Sequence, residues 1–161
     1  MIVRGAKIFL VASVGVLVSL VGLNNLLDYN TNFEAVRHIL SMDAIPQDSP
    51  LLWRSISAPW MHQLVYGFII ATELGAGLLC LLGARRLALT SRRDAATFNA
   101  AKSTSILGLV VALAIYFVGF MIVGGEWFQM WRANAWNMQE PAFRFIGSVA
   151  LMLVFLNQRD D

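Results

Sequence analysis

Four stretches of mostly apolar residues alternate with segments where charged, aromatic and turn-forming residues collect; the stretches run over 8–27, 64–83, 105–124 and 142–156. A helix needs roughly 20 mainly apolar residues to cross a hydrocarbon core about 30 Å thick. The first and third stretches reach that length with no charge, and the second carries one, Glu73. The fourth is shorter and holds Arg144 near its start, where a long basic side chain can reach back to the interface. The pattern predicts an all-α membrane protein: one domain over 1–161, folded as an antiparallel four-transmembrane-helix bundle.

Small residues let membrane helices approach closely. Ala12, Gly15, Ser19 and Gly22 make one seam on the first span, and Gly67, Ala71 and Gly75 make a small face on the second. Gly108, Ala112, Tyr116 and Gly119 share a face of the third, and Gly147 and Ser148 are the candidates on the fourth.

Two connections, 28–63 and 125–141, fall on one side of the bundle and 84–104 on the other. The first is too long for a bare turn. Thr31-x-x-Glu34 fits a capping box, and Phe33, Val36, Ile39 and Leu40 follow at helical spacing, so a short amphipathic helix is expected over 32–42. Pro46 and Pro50 break any further helix, and Pro59 marks entry to the second span. In the second connection Gly124-Gly125 allows the third span to stop, and Trp127, Met130 and Trp131 fall on one face of a short interfacial helix. Docking of a partner or lipid and self-packing against the first connection are both open for that face. Asn24 and Asn25 end the first span, able to bond the second span or the cap, and read as structural.

Composition strengthens the membrane reading. Hydrophobic residues make up 58% and charged residues 14% of the chain, against roughly 45–50% and 25% in soluble domains. Intrinsic disorder is excluded. Cys80 is the single cysteine, which excludes an intrachain disulfide framework. The basic residues Arg4, Lys7, Arg85, Arg86, Arg92, Arg93, Lys102 and Arg159 share one side. By the positive-inside bias that side is cytoplasmic, with both termini. Topology explains this charge better than nucleic acid does, so no nucleic-acid partner is expected. The apolar run after Arg4 and Lys7 is long and lacks an A-x-A-like site, so it reads as an uncleaved span.

All five tryptophans, Trp53, Trp60, Trp127, Trp131 and Trp136, lie on the outward side. A plain aromatic belt marks both interfaces; a lopsided one points to an ordered outer cap. With Phe128 and Met130, these are the candidate contacts to a partner or to lipid.

Glu73 lies about ten residues into its span, hence roughly 15 Å deep. A carboxylate there must face protein and find a partner or stay neutral. Ser19, Tyr116 and Ser148 lie at reachable depth. The acid serves either a proton relay or a cationic or hydroxylated ligand, or else packing specificity alone. His38, His62 and Tyr66 are weaker ligand candidates; His38, His62 and Asp43 would have to converge to hold a metal, and Trp60, His62 and Tyr66 to hold a quinone. No spacing motif links them, and no nucleophile, zinc, phosphate-loop or C-x-x-C signature occurs. No metal and no cofactor is expected, and no enzymatic activity.

The residues Asn24-Asn25, Asp28-Tyr29, Thr31-Asn32-Phe33, Val36-Arg37-His38, Leu40-Ser41-Met42-Asp43, Trp53-Arg54, His62, Glu73, Gly125-Glu126-Trp127-Phe128-x-Met130-Trp131, Trp136-Asn137 and Ala142-Phe143-Arg144-Phe145 resemble a bacterial family of predicted small integral membrane proteins, domain of unknown function 2165. The resemblance spans nearly the whole chain. One departure is Ala135-Trp136-Asn137-Met138, where a glycine is expected after the asparagine. The resemblance implies a four-span protein of the bacterial inner (plasma) membrane and brings no catalytic or ligand residue. Three readings follow. The first is a non-catalytic accessory, stabilising or assembly subunit of a larger, respiratory-type membrane complex. The second is a small transporter or ligand-binding protein using Glu73. The third is a quinone- or haem-associated electron-transfer subunit. Membrane lipids and another membrane protein are the expected partners.

Overall fold

The computed structural model describes residues 1–161. It is all helical. Helix α1 spans Ile2–Leu27, α2 Tyr29–Ser41, α3 Pro59–Thr90, α4 Ala95–Ala100, α5 Ser103–Ala114 and α6 Gln139–Asn157. Past Ala114 the chain continues from α5 as a π-helical stretch, Ile115–Trp127. Four helical units are long and apolar enough to cross a membrane. No more than a third of the most apolar window of any of them is buried. The remainder, including Phe9, Leu20, Phe68, Leu107, Phe117 and Leu151, faces outward. An outward apolar belt on every long helix is stable only against hydrocarbon.

The helices outrun the apolar stretches. Helix α3 starts with Pro59 in its first turn, where the missing N–H costs no bond, and runs on past Arg85 and Arg86 to Thr90. The predicted loop 84–104 is therefore mostly helix. Asp94 caps α4 by accepting from the Thr97 N–H at 2.9 Å, an Asp-x-x-Thr signal the apolar pattern hides.

Neighbours pack with their numbering running in opposite senses. Along α1, Gly15 meets Cys80 and Leu81, Ser19 meets Gly77, and Gly22 meets Leu74 and Glu73 of α3. Along α3, Gly83 meets Ser105 and Cys80 meets Gly108 of α5. The α1 seam at Gly15, Ser19 and Gly22 is as the sequence predicts. The third-span face also holds at Gly108, Ala112 and Tyr116, which are buried, and fails at Gly119; the faces of the second and fourth spans need correction. A Cβ at Gly67, Gly75, Gly119 or Gly147 would meet nothing within 4 Å, and Ser148 is exposed and bonded to the Arg144 carbonyl. Small-residue spacing marks where a helix can be approached, and the bundle chose Gly77 and Gly83 on α3 instead.

Two apolar cores result. The larger joins Val11, Val18, Ala76, Cys80, Leu109, Ala112, Val149 and Leu156 of the four long helices. The smaller joins Ile39, Leu40, Met42 and Ile45 to Phe128, Met130 and Ala133. The two long connections thus pack on each other at the tryptophan-bearing end.

At the opposite, basic end, charges the sequence assigns to topology also cross-link the helices. Lys7 Nζ donates to Asp160 Oδ2 at 2.6 Å and to the Gln158 carbonyl at 2.7 Å. Lys102 Nζ reaches the same Gln158 carbonyl and pairs with Asp160. Arg4 donates to the carbonyls of Ser91 and Arg93 and lies over the Phe98 ring, 4.6 Å from its centroid. Burial opposes the Asp160 charge, but Lys102 and Lys7 outweigh it and hold the carboxylate below its usual range. A depressed carboxylate stabilises the fold above its unfolded pKa, and that contribution is lost as pH falls through the folded one.

Two outcomes follow. Asp160→Asn should cost about 3 kcal/mol at neutral pH, the low end for a broken buried pair because both ammonium groups keep Gln158. Thermal unfolding in detergent should show the deficit shrinking as pH falls below the ordinary carboxylate range of about 4; a gap unchanged by pH would refute the ion triad. Gly108→Ala puts a Cβ 2.7 Å from the Cys80 backbone nitrogen and should cost about 1–3 kcal/mol. Gly67→Ala should stay within about 0.5 kcal/mol. Equal effects of the two glycine variants would sink the assigned contact faces.

Candidate functional site

Glu73 lies close to the middle of the 32-residue α3 and is almost fully buried, at 2% exposure. Two partners reach it. Asn25 Nδ2 donates to Oε2 at 2.8 Å, and the Tyr116 hydroxyl donates to Oε1 at a longer 3.5 Å. Asn32 Nδ2 of α2 donates to Asn25 Oδ1 at 2.7 Å. The Tyr66 hydroxyl reaches the Asn25 backbone carbonyl at 3.3 Å. A hydrogen-bonded chain therefore runs from half-buried Asn32 to the mid-helix acid.

Local structure explains each position. Asn25 is in the last turn of α1, and after Asp28 the chain re-enters helix at Tyr29, which brings Asn32 back over Asn25. The predicted capping box does not form. Helix α2 begins before Thr31, whose hydroxyl instead donates to Asp28 Oδ2 at 2.8 Å, and Glu34 accepts from Arg37. In the π-helical stretch Tyr116 and Phe120 both line the cavity beside the acid, and Tyr116 stacks on Phe145 of α6 at 4.3 Å between centroids.

These groups line a cavity of about 130 Å³. Five elements contribute: α1 with Val21 and Asn25, α2 with Asn32, Ala35, Val36 and Ile39, α3 with Tyr66, Ile69 and Glu73, the π-helical stretch with Tyr116 and Phe120, and the start of α6 with Ala142 and Phe145. Glu73 is the only acid in the lining, so the walls present one carboxylate, two amides and two phenols among apolar groups.

Of the predicted partners of Glu73, the structure brings in Tyr116 alone. Ser19 is pressed against Gly77, one helical turn farther along α3, and Ser148 faces outward. Asn25 is the partner the sequence reading assigned to structure. Its signal was present: one helical turn beyond Gly22, which itself abuts Glu73, it continues the α1 seam.

The histidines do not converge. His38 Nδ1 pairs with Asp43 at 2.7 Å and its ring stacks on Trp136 at 4.5 Å. Buried His62 bonds the Ile56 carbonyl through Nε2 at 2.7 Å. No group of three potential ligands is placed to hold a metal ion. Trp60 is 65% exposed, so Trp60, His62 and Tyr66 do not form one pocket; Tyr66 belongs to the Glu73 cavity.

The interfacial helix expected at Trp127–Trp131 is absent. The π-helical stretch ends at Trp127, Gln129 turns the chain at φ 57°, and Met130–Arg132 is one 3-10 turn. Met130 and Phe128 are buried in the smaller core while Trp127 and Trp131 stay half exposed. Trp53 and Trp127 flank the Arg54 guanidinium, 5.4 and 4.5 Å from the ring centroids.

The Glu73–Asn25 pair can be tested by a double-mutant cycle with Asn25→Leu and Glu73→Leu. The expected coupling is about 1 kcal/mol, the scale of polar contacts between membrane helices. Additive effects in detergent unfolding would show that the two side chains do not interact.

Neither a curated protein nor a solved structure matches the chain. The model of one family, described as predicted small integral membrane protein, domain of unknown function 2165, matches residues 3–159. The pattern of four spans and the match over nearly every residue agree, and the chain belongs to this family of small integral membrane proteins.

Proposed function

We propose that this chain is a ligand-binding protein of the bacterial inner membrane and not an enzyme. In this reading it is an antiparallel four-span bundle with both termini in the cytoplasm. The clustering of Arg85, Arg86, Arg92 and Arg93 at the end opposite the tryptophans supports that orientation. One observation carries the binding reading: a cavity in the membrane-spanning part encloses a carboxylate, two amides and two phenols. Packing specificity alone would be served by Glu73 sealed against Asn25; a cavity beside the pair leaves room for a third group. The ligand class is a compact hydroxyl- or amine-bearing group. A hydroxyl or ammonium donates to Glu73, and the rings of Tyr66, Tyr116 and Phe145 cover its apolar part. An anionic group finds no basic side chain in the lining to balance it. With a single acid in the cavity there is no acid/base pair to support catalysis.

The accessory-subunit reading rests on a different feature, the exposed Trp53, Trp127 and Trp131 around Arg54, which fits a partner protein at the outer end. Quantities of bound small molecule and bound protein separate the two.

The test uses the full chain in phosphatidylcholine nanodiscs with hydroquinone and ethanolamine as probes. At least one probe should bind, and Glu73→Leu should weaken it roughly tenfold or more, as expected when a buried donor on the probe loses its hydrogen-bond partner. Glu73→Gln, which keeps an acceptor, should fall between. Unchanged binding in both variants, or recovery of a stoichiometric protein partner with no binding of either probe, would reject the ligand-binding assignment.

A further inference from the structure

The Glu73 cavity shares a wall with a second, larger space. A groove of about 500 Å³ touches Val36, Ile39, Ile69 and Phe120, and the same four side chains line the Glu73 cavity. The groove runs between α3, with Phe68 and Thr72, and the α5 and π-helical segments, with Val110, Ala114 and Val118. Fifteen of its eighteen lining residues are hydrophobic. Its one hydroxyl, on Thr72, is already committed to the Phe68 carbonyl at 2.6 Å. Both flanking helices are spans, and Phe68, Val110 and Val118 are exposed, so the groove opens onto lipid tails and not onto water.

We propose that the ligand is a long-chain quinol: an uncharged, hydroxyl-bearing ring on one linear apolar tail, entering sideways from the bilayer. The ring occupies the Glu73 cavity, the tail lies in the groove, and Val36, Ile39, Ile69 and Phe120 form the threshold between them. This deepens the ligand-binding reading and rests on it. The chemistry of the two spaces decides the class. A head space of about 130 Å³ suits a single ring better than a two-tailed glycerolipid head, and with no Lys, Arg or His in the lining nothing there balances a phosphate or carboxylate head. The rings of Tyr66, Tyr116, Phe120 and Phe145 offer flat walls to a ring. The groove offers no unpaired polar group, so only an apolar chain lies in it without losing hydrogen bonds. One threshold residue, Phe120, is on the π-helical stretch, a form often found at functional sites.

Gly119 supplies the test. It lines the groove, and a Cβ there meets nothing within 4 Å. Gly119→Phe therefore fills the groove while leaving the cores intact, which thermal unfolding checks. Binding to the nanodisc-embedded chain is compared for a quinol with a decyl tail, for tail-less hydroquinone and for decanol, at matched membrane mole fraction. Gly119→Phe should weaken the tailed quinol roughly tenfold and leave hydroquinone unchanged, and Glu73→Gln should weaken both. If hydroquinone binds and responds to Glu73 while Gly119→Phe leaves the tailed quinol unaffected, lateral entry is wrong and the binding reading stands. If decanol binds as tightly as the tailed quinol, the ring assignment is wrong. If none of the three binds, both are wrong.

Discussion

The carboxylate of Glu73 sits at a depth where hydrocarbon would surround it if the helices parted. Leaving it without partners there would be costly whether it is charged or neutral. The surrounding structure meets that demand from three sides. Gly22 lets α1 close on α3 so that Asn25 reaches Oε2, Tyr116 comes from the π-helical stretch, and α2 folds back so that Asn32 secures Asn25. The helix pairing, the cap and the cavity are all tied to this one side chain.

The two ends of the molecule hold the spans together by different means. The basic end uses ions: Lys7 and Lys102 converge on Asp160 and on one carbonyl of the chain leaving α6. The tryptophan-bearing end uses a second apolar core in which Met130 and Met42 are almost fully buried. Between them the α1–α3 and α3–α5 contacts depend on glycines, since dispersion and close approach replace the hydrophobic drive that lipid cannot provide. The pairing at Gly83 is close enough to leave the buried Ser105 hydroxyl without a hydrogen-bond partner.

The π-helical stretch links this packing to the proposed ligand. A π-helix has a wider turn than an α-helix, so side chains beyond Ile115 rotate out of the α-helical phase. Phe120, four residues on, stays near the Tyr116 face in either helix form, whereas Gly119, three residues on, is carried away from it and lines the outer groove. That rotation brings the polar cavity and the apolar groove against the same ring.

Much of this was legible along the chain. Hydropathy alone placed four spans, because the cost of exposing polar groups to lipid acts on each segment separately. It also set Glu73 apart and gathered the tryptophans at one end. What the one-dimensional pattern did not contain was phase and partnership. Helical phase was lost where α-spacing was extrapolated through 115–127, and so was the inner face there. Partnership was only half visible: Asn25 could be seen to reach the second span or the cap but not to meet Glu73, and Lys7 and Lys102 stood as topology, since a polar group near a helix end looks solvated until a neighbour covers it. The sequence determined that the chain lives in lipid and where it crosses. Only the tertiary structure decided which residues meet Glu73 and what space is left beside it, because that depends on how closely glycine-lined helices approach one another.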